Sequence, residues 1–302
     1  MTARSYEFVQ LDVFTRTPLT GNPLAVFTDA RGLTDKEMQA LAREMNLSET
    51  TFVLPREPEV ETREGTRVRI FTVEEELPFA GHPTLGTALY LYASSEASDR
   101  IVLDLNVGKI PVRFTPDSRS SGRGRADGNV FGEMRQRDPE FGPTLPREQV
   151  AHALQIEPDE IIAEAPVQVV SLGLPFAVVP LRNSQTLTNL KPRAAETNAL
   201  LEGTGARFCY FFWVETGQPE ARARMFFYGG EDPATGSAAG CAASWLVQHG
   251  LAEPEQQVLI RQGVEAGRPS EIFVRGSRTD GSVTNIRVGG YAVEVLRGTV
   301  TL

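Results

Sequence analysis

The 302 residues predict an α+β protein built twice over, and three observations carry that expectation. The first is an internal repeat: Arg67-Val68-Arg69-Ile70-Phe71 through Gly81-His82 recurs in outline 155 residues later as Arg222-Ala223-Arg224-Met225-Phe226 through Gly236-Ser237. The second is an echo at a lag of 152, Gly21-Asn22-Pro23-Leu24-Ala25-Val26 against Gly173-Leu174-Pro175-Phe176-Ala177-Val178. The third is a succession of short strand-like runs with one long apolar helix in each half. A helix that is apolar on most of its circumference belongs inside its domain, surrounded by strands. A doubly wound parallel sheet fits poorly, and the glycine-containing loops lack the G-x-G-x-x-G arrangement that cradles a dinucleotide.

The elements follow in order. Phe8 to Phe14 alternates as a strand, Pro18 to Pro23 is a turn, and Leu24 to Phe27 is a short apolar strand. Thr34 caps a helix to about Met45, with Leu33 ahead of it as a staple. Strands are expected at Thr50–Leu54 and Arg67–Thr72. The helix after Gly81 carries Leu85, Ala88, Leu89, Tyr92 and Ala93, and strands at Ile101–Leu105 and Ile110–Phe114 follow. The Ser-, Arg- and Gly-rich segment Pro116–Asp127 is the expected boundary or exposed loop. This gives a first domain at 1–125, with the strand at 290–302 free to return to it, and a second at 126–289.

The second half repeats the plan. A helix at Pro146–Leu154 precedes strands at Val167–Leu172 and Phe176–Pro180. A helix at Arg193–Leu201 precedes strands at Arg207–Trp213 and Ala221–Phe227. The helix from about Gly236 to Gln248 is the second central one, and short strands at Gln257–Ile260, Ser270–Val274, Ser282–Val288 and Ala292–Leu296 complete the chain.

Bulk properties exclude several classes. A formal charge of −9 argues against nucleic acid, whose backbone demands a basic surface, without excluding a local basic pocket. Cys209 and Cys241 are too few for a disulfide scaffold and read as buried thiols. The three histidines, His82, His152 and His249, stand far apart without metal-ligand spacing, so no metal is expected. No secretory core or membrane-length apolar run is read, and a cytoplasmic protein without membrane association is the expectation.

Three residues stand out as able to do chemistry. Glu49 ends a polar linker before an apolar strand, where partial desolvation would suit a general acid or base; its bland alternative is a surface or capping carboxylate. His82 precedes Pro83 at the start of the first central helix, whose positive end disfavours imidazolium; the alternative is a loop cap. Asp232 sits in Glu231-Asp232-Pro233-Ala234-Thr235-Gly236-Ser237, where a cap is again the alternative. The small residues of that loop, and of Phe79-Ala80-Gly81-His82-Pro83-Thr84, suit anion binding by backbone N–H groups. Two such loops facing each other would hold a carboxylated small molecule. Glu74, Glu75 and Glu76 read as a solvated face, and no G-x-S-x-G elbow surrounds Ser48 or Ser237.

Together these pieces resemble the phenazine-biosynthesis PhzF isomerase family and, through it, the diaminopimelate epimerase superfamily. The resemblance rests on Asp12-Val13-Phe14-Thr15, Gly21 to Phe27, Asn46-Leu47-Ser48-Glu49-Thr50-Thr51-Phe52-Val53, Leu77 to Gly86 and Glu231 to Gly240. Gln262-Gly263-Val264 and Gly267-Arg268-Pro269-Ser270 complete it. It implies a diaminopimelate epimerase-like fold of two pseudo-symmetric domains, each a curled, mostly antiparallel sheet or barrel around a central helix. It implies a catalytic set of Glu49, His82 and Asp232, with substrate held by Gly81, Pro83, Thr84, Thr235, Gly236 and Ser237, and with Asn22 in the outer pocket. It further implies a homodimer without metal or organic cofactor. The expected activity is isomerisation of a small carboxylated amino or hydroxy acid, like trans-2,3-dihydro-3-hydroxyanthranilate, by one carboxylate that moves a proton between ring carbons. Racemases of the wider superfamily use one cysteine per loop, and neither loop tip here has a thiol. An epimerase or racemase of an amino acid derivative, and a non-catalytic metabolite-binding protein, are the alternatives.

Overall fold

The computed structural model describes residues 3–94, 99–116, 126–214, 219–227 and 230–302. Most of the Pro116–Asp127 segment therefore lies outside the described residues. The chain divides into two compact units, one of residues 1–135 with 289–302, the other of residues 136–288. The first half contains Ser5–Val13 (β1), Asn22–Phe27 (β2), Asp35–Met45 (α1), Glu49–Leu54 (β3), Pro58–Glu64 (α2), Thr66–Phe71 (β4), Glu76–Leu77 (β5), Gly81–Ser94 (α3), Arg100–Leu105 (β6), Gly108–Pro116 (β7) and Val130–Arg135 (β8). The second contains Glu140–Leu145 (β9), Arg147–Leu154 (α4), Val167–Ser171 (β10), Pro175–Pro180 (β11), Ser184–Asn189 (α5), Ala194–Leu201 (α6), Phe208–Val214 (β12), Glu220–Phe227 (β13), Gly230–Asp232 (β14) and Gly236–Gln248 (α7). It continues with Val258–Gln262 (β15), Ser270–Thr279 (β16) and Ser282–Gly290 (β17), and Ala292–Thr301 (β18) returns to the first unit.

The ladders repeat strand for strand. In the first unit β1 runs antiparallel to β2, β2 parallel to β3, and β3 antiparallel to β4. β4 then pairs antiparallel with β5 and parallel with β6, which pairs antiparallel with β7. In the second unit β10, β11, β12, β13, β14, β15 and β16 make the same sequence of antiparallel and parallel pairings. The first sheet curls far enough for Asp127, ahead of β8, to bridge Val293 on β18, but an isolated bridge is not a ladder and the sheet stays unclosed.

The central helices sit where their composition demands. Gly81 to Leu89 of α3 are all buried, and Gly86 lets the helix approach β1 and β2: a Cβ there would lie 2.6 Å from Val13 and 2.7 Å from Leu24. α7 is buried along nearly its whole length, with Trp245 edge-on to Phe212 and its indole N–H donated to the Pro166 carbonyl. Each sheet's other face carries its own core. In the first unit, α1 covers Phe27, Phe52 and Phe71; in the second, α4, α5 and α6 supply Val150, Leu154, Leu187 and Leu201 against Ala177, Val179 and Phe211. Thr34 caps α1 through a capping box with Glu37, as its spacing implies, and Asn46 ends the helix in the left-handed region. Among the described residues no helix is long and apolar enough to cross a membrane.

The alternating arginines of the repeat explain themselves in the fold. Arg69 on β4 forks onto Glu76, Nε to Oε1 at 2.8 Å and Nη2 to Oε2 at 2.6 Å, and lies over the Phe71 ring. Arg224 on β13 makes the same fork onto Glu231, at 2.9 and 2.8 Å, over the Phe226 ring. Each pair clamps the return of the chain toward its central helix. The expectation of a solvated face at Glu74–Glu76 is corrected at Glu76, which Arg69 draws into a half-buried pair that holds its carboxyl below the usual range. The two arginines differ at Nη1: that of Arg69 donates to the exposed Asp35 carboxylate at 2.6 Å, whereas that of Arg224 donates to the carbonyls of Leu187, Thr188 and Leu190 at the end of α5. Removing one partner of a buried pair strands the other charge, at roughly 3–5 kcal/mol, while a more exposed pair contributes less. Arg224→Ala is therefore expected to lower stability by about 3 kcal/mol or more and Arg69→Ala by roughly 1–2 kcal/mol, measured by urea denaturation. Equal losses would remove the special role of the three carbonyls.

Candidate active site

In the first unit the chain is bent to deliver Asn22. Gly21 has φ +69°, and a Cβ there would lie 2.4 Å from the Val13 carbonyl, so only glycine fits the turn. The buried Asp12 carboxylate accepts the Leu19 N–H at 2.6 Å and anchors the same loop. Asn22 then enters β2 opposite Val13, fully buried. Glu49 is not on a linker, as the sequence suggests, but is the first residue of β3, paired with Leu24. The hydroxyls of Thr51 on β3 and Thr87 on α3 are 2.9 Å apart and tie the strand to the helix.

That tie sets Glu49 beside His82. The Glu49 Oε2 lies 3.4 Å from His82 Nδ1, and Asn22 Nδ2 lies 3.3 Å from the same nitrogen. Both side chains are buried, Glu49 at 9% exposure and His82 at 3%. Burial pushes the imidazole down to about 3, against an opposing contact with the Pro23 backbone, so the ring is neutral at physiological pH and its contact with Glu49 is no ion pair. Among the described residues His82 Nε2 has no hydrogen-bond partner. Gly81, Pro83 and Thr84 share the buried first turn of α3, where the Thr84 hydroxyl donates back to the Ala80 carbonyl at 2.6 Å.

In the second unit Asp232 ends β14 with 5% exposure and accepts the Thr235 hydroxyl at 2.6 Å. Thr235 precedes α7, Gly236 begins it, and Ser237 is half-buried in its first turn. Gln136 donates from Nε2 to the Gly236 carbonyl at 3.1 Å. Sequence reasoning passed over two further members of this cluster, Tyr210 and Gln262. The Tyr210 hydroxyl donates to Gln262 Oε1 at 3.0 Å, and Gln262 Nε2 donates to the Asp232 carbonyl oxygen at 2.8 Å and to Thr235 Oγ1 at 2.9 Å. The Gln262-Gly263 pair was visible, but its partner stands 52 residues away in an aromatic run that reads as core.

Other features fall outside these clusters. Cys209 and Cys241 are free and buried, and burial raises the Cys209 thiol to about 12 and Cys241 further, so neither is a thiolate at neutral pH. His152 is exposed on α4. Among the described residues no three His, Cys, Asp or Glu side chains are grouped to hold a metal ion. An open groove of about 690 Å³ lined by Gln155, Glu160, Asn183, Thr186 and Lys191 contains none of the residues above.

The family profile described as phenazine biosynthesis-like protein, PhzC-PhzF, matches residues 11–298. A trans-2,3-dihydro-3-hydroxyanthranilate isomerase from Pseudomonas fluorescens is 38% identical, over 98% of this chain and 100% of the relative. Its namesake from Pseudomonas chlororaphis is 36% identical with the same coverage. The solved structure of a predicted epimerase from Pseudomonas aeruginosa shares 35% identity at a TM-score of 0.82, covering 98% of this chain and 99% of that one. A hydroxyproline epimerase from Agrobacterium vitis, at 12% identity and a TM-score of 0.65 with 99% and 93% coverage, shares the fold.

The neutral, buried His82 makes stability depend on pH. As pH falls below 6.5, the ordinary value, the unfolded chain takes up a proton that the folded imidazole refuses until about 3. Stability from this residue is thus complete above that ordinary value and is lost progressively as the pH falls toward the folded one. The loss is about 2 kcal/mol by pH 5. His82→Gln should flatten this part of the urea-midpoint profile between pH 7 and pH 5; an unchanged slope would mean that the imidazole is protonated when folded.

Proposed function

This chain belongs to the phenazine biosynthesis-like, PhzC-PhzF, family, and from that premise we propose a cofactor-independent isomerase that moves a proton on a small carboxylated substrate, with Glu49 as the acid–base group. The isomerase class is that of the curated relatives. The observation that carries the mechanism is an asymmetry in an otherwise repeated frame. Glu49 pairs with Leu24, and Phe176, the counterpart of Leu24, pairs with Phe208. Asp232 pairs with Met225, where the first unit has Leu77 opposite Ile70. Each carboxylate thus has an apolar residue at its repeat position. A racemase needs matched groups from both halves; one unmatched base suits removal and return of a proton on a single face.

On a substrate like trans-2,3-dihydro-3-hydroxyanthranilate, Glu49 takes the proton from the hydroxyl-bearing ring carbon as the double bonds shift. It then delivers that proton to another ring carbon and ends ionised, as it began. His82 and Asp232 orient the hydroxyl and amino groups. An unpartnered buried polar atom costs about 1–3 kcal/mol, and a ligand oxygen at His82 Nε2 would recover it. The first turns of α3, at Gly81, Pro83 and Thr84, and of α7, at Thr235, Gly236 and Ser237, favour the substrate carboxylate through the N–H groups of Gly81, Gly236 and Ser237, with Asn22 beside His82. A homodimeric assembly and a cytoplasmic location belong to the same reading.

Glu49→Gln keeps the shape of the side chain and removes the base. Turnover of the dihydro-hydroxyanthranilate is expected to fall by about 10²–10⁴, with binding of 3-hydroxyanthranilate, followed by thermal shift, retained. Wild-type enzyme in D₂O should retain part of the substrate's own hydrogen at the product carbon. Complete solvent exchange at the α-carbon of an amino acid, with no double-bond migration, would instead favour an epimerase. Gly81→Asp or Gly236→Asp should abolish the stabilisation by 3-hydroxyanthranilate; equal stabilisation would remove the carboxylate site.

A further inference from the structure

We propose that Tyr210 and Gln262 are positioning residues that fix the carboxylate of Asp232 and the hydroxyl of Thr235 in one orientation for the reaction; this rests on the reading that those two groups meet the substrate. The orientation of the Gln262 amide is not arbitrary. Its Oε1 faces the Thr235 backbone N–H at 3.3 Å, a group that can only donate, and its Nε2 faces the Asp232 backbone carbonyl at 2.8 Å, a group that can only accept. Because Nε2 also donates to Thr235 Oγ1 at 2.9 Å, the threonine hydroxyl must direct its own proton elsewhere, and Asp232 Oδ2 stands 2.6 Å away. The chain of donors therefore runs one way, from glutamine through threonine to the carboxylate, and it strengthens along its length.

Tyr210 closes the other end. Its hydroxyl donates to Oε1 at 3.0 Å and leaves that oxygen with two donors. Burial first, with the Asp232 charge nearby, holds the phenol well above its ordinary value, so the group stays a donor. Tyr210 and Gln262 are fully buried on rigid elements, β12 and the end of β15, the latter between Ala223 and Ser270. The turn that follows is pressed on the same loop: Gly263 has φ +76°, and a Cβ there would lie 2.5 Å from the Pro233 carbonyl oxygen. Among the described residues the first unit has no such device, and Thr51, paired with Ile70, stands at the position of Tyr210, paired with Met225. It is therefore not part of the frame that the duplication repeats.

The test uses Tyr210→Phe, which keeps the ring packing, with Gln262→Leu and Gln262→Glu. The Asp232 carboxyl is followed by ¹³C NMR titration, assigned through its loss in Asp232→Asn, and the Thr235 amide by hydrogen exchange. In Gln262→Leu the carboxyl midpoint is expected to move up by about one pH unit, and Thr235 exchange to quicken about tenfold. Tyr210→Phe should shift both the same way by less, and Gln262→Glu should shift the carboxyl furthest. With the dihydro-hydroxyanthranilate, kcat should fall more than KM rises, and the acidic limb of the pH profile should follow the NMR midpoint. A lowered melting temperature with both NMR readouts unchanged in Tyr210→Phe would overturn the proposal and leave the pair merely structural. NMR coupling intact in a wild type that turns over no such substrate would instead sink the isomerase reading while the positioning stands.

Discussion

A mostly apolar helix without a single Asp, Glu, Lys or Arg can be stable in water only by being enclosed, and that requirement organises each unit of this protein. The sheet curls because α3 or α7 must be covered on most of its circumference. Enclosure carries a second consequence. The first N–H groups of a helix have no partner within it, and burying the first turn takes away the water that would otherwise serve. The chain around each helix start must therefore bring polar groups inside. In the first unit these are Glu49, His82 and Asn22, in the second Asp232, Thr235 and Gln262. The candidate site sits where the fold was already obliged to bury polarity.

The frame and the chemistry separate when the repeats are laid over each other. What recurs holds the sheet to its helix: the forked arginine and glutamate, the phenylalanine under the guanidinium, the proline and the glycine that opens the helix. What differs is Glu49 against Phe208, Leu77 against Asp232, His82 against Ser237, and Thr51 against Tyr210. Duplicating an identical frame yields two equivalent mouths. Unequal residues in them make the two mouths chemically different, and under the proposed reading a reaction with distinct acid, base and orienting groups uses that difference.

The duplication was legible because it is written in local patterns: a strand of alternating arginines, a proline, a glycine and an apolar helix. The capped α1 was legible for the same reason, since Thr34 and Glu37 satisfy each other within one turn. Elements stabilised from a distance were not. α2 buries none of its seven residues, so it has no apolar period to read. β9 contains Gly142-Pro143, a turn signal, and is a strand only because β10 pairs with it. Glu49 read as the end of a linker because its partner strand β2 enters from 25 residues earlier.

The same distinction explains why the candidate site was half visible. Residues at the tips of the entering loops lie next to the glycines and prolines that mark them, and sequence picks them out. The groups that aim those residues come from elsewhere in the fold: Tyr210 reaches Gln262 across 52 residues, and Gln262 reaches Thr235 across 27. A buried glutamine or tyrosine on a strand looks like ordinary core filling until its partners are known. Yet a carboxylate confined at 5% exposure could take several orientations of comparable energy unless neighbouring donors choose among them. In the proposed reading the visible residues supply the reactive atoms, and the invisible ones reduce those atoms to a single arrangement. Proton transfer depends on that arrangement as strongly as on the atoms themselves, because a misplacement of about 1 Å can cost on the order of 10²-fold in rate.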